Sequence, residues 1–354
     1  MYLTPKIDAD VIAPVRTADP ATLLARLCGG ASLAADEAET LFGALVAGHL
    51  GEAEIAALLI ALKMKGETEG ELVGAARALR AAALPFDRPN YLFADSCGTG
   101  GDGSSTINLS TAVAFVAAAA GLPVAKHGNR SITSNCGSAD VLEQLGVRID
   151  VAPHVSRTAL DQAGICFLFA PQYHPGLRHA GPVRRALNVR TVMNMLGPCV
   201  NPARPDVQLL GVADPKLVEP VARTLAGLGV RRALVVHGAG LDELALHGDT
   251  DAVQVADGAI TRSVIRPEDA GIARAPLAAL KGGGPEENAQ RLKALLLGYG
   301  TAVETAAVAL NAGALLMTAG LAATIGDGAD LARQAMASGE PHRRLEALVA
   351  ITNG

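Results

Sequence analysis

The chain has 354 residues, of which 50% are apolar and 18% are charged, and its formal net charge is −5. This length allows a sizeable core and two domains, and the composition excludes an intrinsically disordered chain. Because the charge is negative and there is no polybasic run, general binding to nucleic acid or to a membrane surface is not expected. Aromatic residues make up only 3% and Trp is absent, which argues against a stacking platform for single strands.

Cysteine usage and the N-terminal sequence indicate the cellular compartment. The five cysteines are scattered and form no C-x-x-C pair, which is typical of reduced thiols in the cytosol. The N-terminal sequence lacks the long apolar core of a signal peptide, and no charge-free apolar run of about 18 residues predicts a membrane span. We therefore expect a soluble, cytoplasmic protein that has no membrane partner.

Residues from about 20 to 83 show helical periodicity. Apolar residues recur at three- and four-residue spacing, in segments separated by Gly-containing breaks. Thr68 and Glu71 have the spacing of a capping box, S/T-x-x-E. The pattern predicts a small domain of four helices. Its apolar content is high for so few residues, which is compatible with a dimer face as well as with an internal core.

A proline-containing linker at 84–89 precedes a change of pattern. Alternating strands and helices then indicate a parallel sheet built from βαβ units. From about residue 285 the chain is predicted to be helical, and the segment 302–320 is apolar on nearly all sides and hence buried. We predict strands near 91–95, 122–126, 166–170, 207–212 and 232–237, and helices near 109–120, 139–146, 156–163 and 215–228.

Residues 174–200 interrupt the alternation with two basic helical segments, which could fold back onto the first four helices. The predicted fold class is α/β, with a small N-terminal α-helical domain and a larger α/β domain whose central, mostly parallel sheet is flanked by helices. We expect the small domain to comprise 18–84 plus about 174–202, and the larger domain to comprise 90–173 plus 203–354.

A glycine-rich turn at 98–103, GTGGDG, matches the G-x-G-x-x-G dinucleotide pattern. A dinucleotide site needs an acidic residue about 20 positions further on to hold the ribose, but the next predicted strand ends in Lys126 and His127. A phosphate ligand therefore fits better than NAD, and a plain tight turn remains the alternative. The chain contains no P-loop pattern.

Two further anion-attracting features follow the glycine-rich turn. Asn108 and Ser110 lie where a helix is predicted to begin, and a helix N-terminus attracts anions, although a simple helix cap is the alternative. The cluster KHGNR at 126–130 directly follows an apolar strand, where ligands of open α/β sheets bind. Three such features in one region suggest a ligand with more than one phosphate.

Acidic and basic residues later in the chain complete the candidate site. Asp242 and Glu243 follow an apolar strand and suit Mg²⁺, which takes few protein carboxylates and accepts phosphate oxygens; a solvated loop pair is the alternative. Arg184 and Arg190 lie with His174 in the basic insertion. An arginine fork binds a carboxylate through two hydrogen bonds, so either arginine could hold an acidic substrate or simply face solvent.

The sequence resembles the anthranilate phosphoribosyltransferase family over nearly its whole length. The motifs that carry this resemblance are GTGGD (98–102), NLST (108–111), KHGNR (126–130), GSAD (137–140), RTVMNMLGP (190–198) with NP (201–202), and LDE (241–243). The resemblance implies a small helical domain and a larger α/β domain with the active site in the cleft between them. It also implies transfer of phosphoribosyl from 5-phosphoribosyl 1-pyrophosphate (PRPP) to anthranilate, with Mg²⁺ as cofactor and a homodimer formed through the small domain.

The resemblance assigns roles to residues at the matching motif positions. Arg184, rather than Arg190, would face the anthranilate carboxylate, and Lys126, Asn129 and Arg184 would be the catalytic residues. Among residues that could act as a general base, His127 is the nearest in sequence to these positions. The pyrophosphate and ribose would be held by Gly98, Thr99, Gly100, Gly101 and Asp102, and the phosphates would be held by Asn108, Ser110, Thr111 and Lys126. The metal would be bound by Ser110, Asp242 and Glu243. The anthranilate would be bound by Asn129, His174, Arg184, Gly197 and Pro198, and the rest of the substrate site would consist of Thr106, His127, Gly128 and Ser138.

Two other functions remain open at this stage. A pyrimidine nucleoside phosphorylase would share the fold and use inorganic phosphate as its nucleophile, although KHGNR and the insertion carrying Arg184 speak against it. A non-catalytic paralogue that binds nucleic acid would be expected to have a basic surface and eroded motifs, which the net charge and the intact motifs oppose.

Overall fold

The computed structural model describes residues 18–131 and 135–354. Residues 1–17, which bear on the expectation of no signal peptide, lie outside the described part. The first four helices are α1 (Pro20–Cys28), α2 (Ala35–Val46), α3 (Glu52–Lys65) and α4 (Glu69–Ala81). The four helices predicted for 20–83 are therefore confirmed.

The predicted capping box forms at the start of α4. The Glu71 N–H donates to the Thr68 hydroxyl at 3.3 Å, and the Thr68 N–H donates to the Glu71 carboxylate at 2.8 Å. This carboxylate is buried, accepts from the Leu33 N–H at 3.0 Å and pairs with the Lys65 ammonium at 2.9 Å. These contacts offset the cost of burying the charge, and they join α3 and α4 to the loop before α2.

A seven-stranded sheet forms the centre of the larger part of the chain, with strand order β3-β2-β1-β4-β5-β6-β7. The first five strands are parallel, and β6 and β7 add an antiparallel hairpin at one edge. The prediction of a mostly parallel sheet is confirmed. The strands are β1 (Ala94–Gly98), β2 (Val124–Gly128), β3 (Ile165–Phe169), β4 (Val207–Gly211), β5 (Arg232–Gly238), β6 (Thr250–Ala256) and β7 (Ala259–Ile265).

The structure corrects two of the strand predictions. β1 begins at Ala94 and not near 91, so the strand runs into the glycine-rich motif instead of ending before it. The β6–β7 hairpin was missed altogether. Its turn, Asp257-Gly258, has φ values of 47° and 84°, and an Asp-Gly pair between β-rich segments is a strong hairpin signal that could have revealed it.

Helices cover both faces of the sheet. They are α5 (Leu109–Ala119), α6 (Ser138–Gln144), α7 (Pro153–Ala163), α8 (Ala170–Tyr173), α9 (Gly181–Leu187), α10 (Val192–Cys199), α11 (Val218–Gly227), α12 (Pro285–Leu296), α13 (Ala302–Ala319), α14 (Ile325–Ala337) and α15 (Glu340–Asn353). Within the described residues, α13 alone has the length and apolarity to cross a membrane. In this structure 72% of it is buried, as expected for a core helix.

The described residues form three hydrophobic cores, of which the smallest packs α11 on β4, β5 and β6. The two larger cores belong to the helical part and to the sheet. The core of α1–α4 also contains Val183 of α9 and Val192, Met193 and Leu196 of α10, so the basic insertion packs on the first four helices. The other large core lies between the sheet and its helices, with α5 and α13 almost completely buried. The basic insertion therefore reaches the sheet from the side on which α1–α4 lie.

Close packing of α14 on α13 generates a stability prediction. A Cβ at Gly328 would lie 2.4 Å from the Gly313 carbonyl oxygen, whereas a Cβ at Gly326, on the same helix, would meet no atom closer than 3.5 Å. We expect Gly328→Ala to lower the free energy of unfolding by about 1–3 kcal/mol because it overpacks the contact. Gly326→Ala should leave it unchanged or slightly higher, since Ala favours helices. Chemical denaturation measures both, and equal effects would contradict this packing.

Candidate active site

The candidate site lies at the carboxyl edge of the parallel strands. β1 ends at Gly98 and its neighbour β2 ends at Gly128, so the glycine-rich loop and the 126–130 motif are adjacent in space. In the loop, Gly100, Gly101 and Gly103 have φ values of 67°, 77° and 73°, a backbone conformation that side chains disfavour. The glycine-rich sequence is therefore required by the shape of this loop.

The acidic segment 241–243 crosses the ends of β1 and β4. The Gly100 N–H donates to Asp242 Oδ2 at 2.6 Å. A Cβ at Gly98 would lie 2.3 Å from the same oxygen, and a Cβ at Gly211 would lie 1.6 Å from the Asp242 carbonyl oxygen. Glycine at both strand ends is thus what allows the acidic segment to reach the glycine-rich loop.

Buried Asn311 on α13 holds the other side of the acidic segment. Its Oδ1 accepts from the Leu244 N–H at 2.9 Å, and its Nδ2 donates to the Leu244 carbonyl at 3.0 Å. Both backbone groups of the residue that follows Glu243 are therefore fixed by one side chain. Sequence reasoning missed Asn311 because a single amide within an apolar helix carries no local signal.

The site contains three carboxylates whose charges repel one another: Asp102, Asp242 and Glu243. Burial raises the pKa of Asp242, and the nearby Asp102 raises it further. Burial and the Asp242 charge likewise raise the pKa of Glu243, while Lys126 opposes the shift. A nearby cation would relieve both effects, because it favours the charged form of a carboxylate.

The donor set fits Mg²⁺ better than a transition metal. Across residues 18–131 and 135–354, no three His, Cys, Asp or Glu side chains are arranged to hold an ion by themselves. Mg²⁺ needs only one or two carboxylates, because it keeps waters and takes substrate phosphate oxygens. The hard carboxylate oxygens of Asp242 and Glu243 meet that requirement, with the hydroxyl of Ser110 on the neighbouring helix.

Lys126 on β2 lies beneath the start of α5. It is buried, and its ammonium donates to the Ser96 carbonyl and, at 3.1 Å, to the Ser110 hydroxyl. Ser110 lies in the first turn of α5, whose free N–H groups favour anions. The predicted association of Lys126 with the start of this helix is therefore present in the structure.

Buried Asp95 connects this region to residue 201. Its carboxylate accepts from the His127 N–H at 3.3 Å and from Asn201 Nδ2 at 2.9 Å, and Asn201 Nδ2 also donates to the Ala125 carbonyl. The network fixes the end of β2 relative to the chain that leaves α10. Asp95 begins the region in which the motifs lie, but its structural role was not predicted.

Asn108 occupies the N-cap position of α5, as predicted, but its side chain does not cap the helix. Its Nδ2 donates to the Cys136 carbonyl at 3.1 Å, and its Oδ1 accepts from Asn288 of α12 at 3.1 Å. The plain-cap alternative is therefore wrong. Nearby, Thr106 forms a bridge to Lys281, and the buried Thr111 hydroxyl has no partner within the described residues.

His127 and His174 form a buried pair between the two cores. Their ring centroids are 5.1 Å apart in an edge-to-face arrangement. Burial lowers the pKa of His174 to about 4 and lowers that of His127 well below its usual value, so both rings are neutral near pH 7. His127 Nε2 and both ring nitrogens of His174 lack hydrogen-bond partners in the described structure.

The remaining residues of the 126–130 motif surround a tight backbone contact. A Cβ at Gly128 would lie 2.3 Å from the Ser138 hydroxyl oxygen, and that hydroxyl donates to the Asn129 carbonyl at 3.3 Å. Asn129 is exposed, and its side-chain oxygen accepts from the Arg130 N–H at 2.7 Å. Gly128 and Ser138 therefore support the backbone, while Asn129 faces the open side of the site.

The two candidate arginines have different surroundings. Arg184 on α9 is half-buried, burial lowers its pKa, and no described carboxylate pairs with it. Arg190 is exposed and donates to the Gly100 carbonyl at 2.7 Å, next to Gly101. Gly197 is exposed at the end of α10, and Pro198 is buried and accepts from Gln208 Nε2 at 2.6 Å. Arg190 thus links the basic insertion to the glycine-rich loop, a contact that the sequence did not predict.

Two family models match the chain. Residues 21–83 match the helical bundle domain of a glycosyl transferase family, and residues 90–342 match the α/β domain of that family. The second match alone covers more than half of the chain. These matched segments correspond to the first four helices and to most of the part that contains the sheet.

Curated relatives and solved structures agree with these models. The anthranilate phosphoribosyltransferase of Sorangium cellulosum is 59% identical over 92% of this chain and 94% of its own length, and that of Tolumonas auensis is 47% identical over 92% and 96%. The crystal structure of the Thermus thermophilus enzyme superposes with a TM-score of 0.90 at 45% identity, covering 94% and 99% of the two chains. The Saccharomyces cerevisiae enzyme in complex with PRPP and Mg superposes at 0.86 with 25% identity, covering 94% and 98%.

The identities extend over both parts of the chain, and the fold is shared throughout. The motifs that carry the resemblance lie together at one edge of the sheet. On these grounds the chain is a phosphoribosyl-transferring enzyme that belongs to the anthranilate phosphoribosyltransferase family.

Proposed function

We propose that the chain transfers the phosphoribosyl group of PRPP to the amine of anthranilate, giving N-(5-phosphoribosyl)anthranilate and pyrophosphate. The observation that carries this proposal is the convergence of Lys126, the start of α5, the glycine-rich loop and the Asp242–Glu243 pair at one sheet edge. A ligand that carries several phosphates and a metal ion suits all four features.

PRPP would be held mainly by backbone and cationic groups. Gly98 to Asp102 would surround the pyrophosphate and ribose, because glycines let the backbone approach a ligand closely. Asn108, Ser110, Thr111 and Lys126 would hold phosphates at the start of α5. The partnerless Thr111 hydroxyl supports this assignment, since a buried polar group normally has a hydrogen-bond partner. Thr106, Gly128 and Ser138 would support the surrounding backbone.

Mg²⁺ would be bound by Asp242 and Glu243, with Ser110 nearby. When bound, the ion neutralises charge that develops on pyrophosphate oxygens. The raised pKa values of the two carboxyl groups support a cation at this place. The Saccharomyces cerevisiae relative in complex with PRPP and Mg supports the same assignment.

Anthranilate would enter along the side formed by the basic insertion. His174, Gly197 and Pro198 belong to that insertion, and exposed Asn129 directly follows the end of β2. Arg184 would bind the carboxylate, because of the two candidate arginines in the insertion it is the half-buried one and has no ion-pair partner in the described structure, whereas Arg190 already contacts the glycine-rich loop. A planar guanidinium binds a carboxylate through two parallel hydrogen bonds.

The mechanism needs positioning and charge stabilisation rather than a covalent intermediate. The amine of anthranilate is neutral near pH 7 and attacks C1 of the ribose as the bond to pyrophosphate breaks. Lys126 and the backbone N–H groups at the start of α5 stabilise the negative charge that grows on the leaving group. Asn129 and Arg184 orient the acceptor. The attacking nitrogen loses its proton once the new bond has formed, and His127, whose ring is neutral near pH 7, is the proposed acceptor. Burial lowers the pKa of His127 and makes it a weak base, which suffices only because the proton on an arylammonium nitrogen is strongly acidic.

The domain division and the assembly are part of the proposal. We assign residues 18–84 plus about 174–202 to the small domain and 90–173 plus 203–354 to the larger one, a division supported by the shared core of α1–α4, α9 and α10. A homodimer would form through the small domain, where Met64 of α3 is 80% exposed. The reduced-thiol composition supports a cytoplasmic enzyme.

The decisive experiment follows the loss of anthranilate fluorescence with PRPP and Mg²⁺ present. We expect consumption that requires the protein and all three components, because the metal and both substrates meet in one site. Phosphorolysis of pyrimidine nucleosides, without consumption of anthranilate, would contradict the proposal and favour the nucleoside phosphorylase alternative.

Substitution of Arg184 tests the anthranilate carboxylate. Arg184→Ala should raise the KM for anthranilate by about tenfold or more, because a hydrogen-bonded charge pair is lost, and should change the KM for PRPP far less. Arg185→Ala removes the same charge from an exposed neighbour on α9 and is the control. Steady-state kinetics with each substrate varied in turn measures the difference. Equal effects on both KM values would remove Arg184 from the carboxylate.

The acidic pair is tested by a double variant. Asp242→Asn with Glu243→Gln should weaken the Mg²⁺ dependence and lower kcat, by roughly 10²–10³ if the charge stabilisation is lost. Asp251→Asn with Glu286→Gln makes the same charge change on exposed residues and should leave the magnesium titration unchanged. An unaltered titration in the first variant would show that the pair does not bind the metal.

A further inference from the structure

A second concave site lies away from the carboxyl edge, where the chain passes between the two cores. It has a volume of about 210 Å³ and lies before β4 and before β5, at the opposite ends of these strands from the candidate active site. The residues that line it are Arg80, Arg88, Arg204, Pro205, Asp206, Leu228, Gly229 and Val230.

The charges in this concavity are unbalanced. Arg88 pairs with Asp206 at 2.7 Å, but no carboxylate among the described residues pairs with Arg80 or Arg204. Three guanidinium groups and one carboxylate leave two positive charges facing a small volume. Like charges in proximity destabilise each other unless an anion lies between them.

Arg80 is the clearest sign of a missing partner. It extends from the end of α4, and its Nε donates to the Cys199 carbonyl at 2.9 Å. Its Nη2 is buried and has no acceptor in the described structure, although a buried donor normally has one. Burial, with a further contribution from Arg204, lowers the pKa of Arg80 to about 10. A bound anion would offset the repulsion from Arg204 and so stabilise the charged form of Arg80.

The size of the concavity restricts the ligand. It corresponds to roughly seven water molecules at about 30 Å³ each, whereas sites for larger organic ligands begin at about 300 Å³. Guanidinium forks match the oxygen geometry of phosphate, sulfate and carboxylate groups. A nucleotide is too large, and a small oxyanion fits.

We propose that Arg80, Arg88 and Arg204 form a binding site for a small oxyanion of the phosphate type, separate from the PRPP site. Arg80 belongs to the helical part, Arg88 to the linker from it, and Arg204 to the segment that returns from α10. The ion connects all three. Because Arg80 also holds the end of α10, occupancy stabilises the position of the basic insertion relative to the sheet.

Equilibrium dialysis with radiolabelled inorganic phosphate tests the site. Beyond any phosphate held at the PRPP site, wild-type protein should bind one further phosphate per chain, which Arg204→Gln binds roughly tenfold more weakly or not at all, because one charged hydrogen-bond donor is lost. Arg231→Gln makes the same charge change at an exposed position outside the concavity and should bind like wild type. Arg204 is exposed, so Arg204→Gln should fold normally, which circular dichroism checks.

Two results of the dialysis experiment would overturn the proposal. Superimposable isotherms for wild type and Arg204→Gln would mean that the arginines hold no phosphate, and equal losses in Arg204→Gln and Arg231→Gln would indicate general surface charge. Crystals soaked in selenate provide a direct second measurement. Anomalous density is expected between Arg80 and Arg204, and density only near the glycine-rich loop would also overturn the proposal. Neither readout depends on the transfer reaction.

Discussion

The close approach of the acidic segment to two strand ends is the constraint on which the site depends. The Asp242 carbonyl lies where any side chain at Gly211 would be, and its carboxylate lies where one at Gly98 would be. Only glycine at both positions lets the acidic segment reach the Gly100 N–H, and Asn311 holds it there from behind. The glycine-rich loop and the carboxylates proposed to bind the metal are therefore positioned by one packing arrangement.

Charge complementarity at the same edge follows from burial. Lys126 is buried, and its ammonium donates to the Ser96 carbonyl and to the Ser110 hydroxyl, so its charge is held near the start of α5. On the other side, enclosure of Asp242 and Glu243 raises their pKa values. Fixed charges in a partly dry site act strongly on a substrate because little solvent reorganises around them.

The helical insertion turns a sheet-edge site into a cleft between two cores. α9 and α10 share the core of α1–α4, yet His174 reaches His127 on β2 and Arg190 reaches Gly100. In the proposed function, the acceptor side of the site therefore belongs to the helical part and the PRPP side to the sheet. Contacts where the chain passes between the cores, such as that of Arg80 with Cys199, then influence how the two sides meet.

The sequence by itself determined the α/β class and the four N-terminal helices, and it supplied the motifs from which the site residues are proposed, because these depend on short-range patterns. Periodicity predicts helices, and glycine, lysine and carboxylate motifs lie within a few residues of strand ends. Tertiary structure alone decided that Arg190 contacts the loop, that Asn108 bonds Asn288 instead of capping α5, and that Asn311 holds Leu244. These contacts join residues 67–180 positions apart, and their formation depends on how whole helices pack.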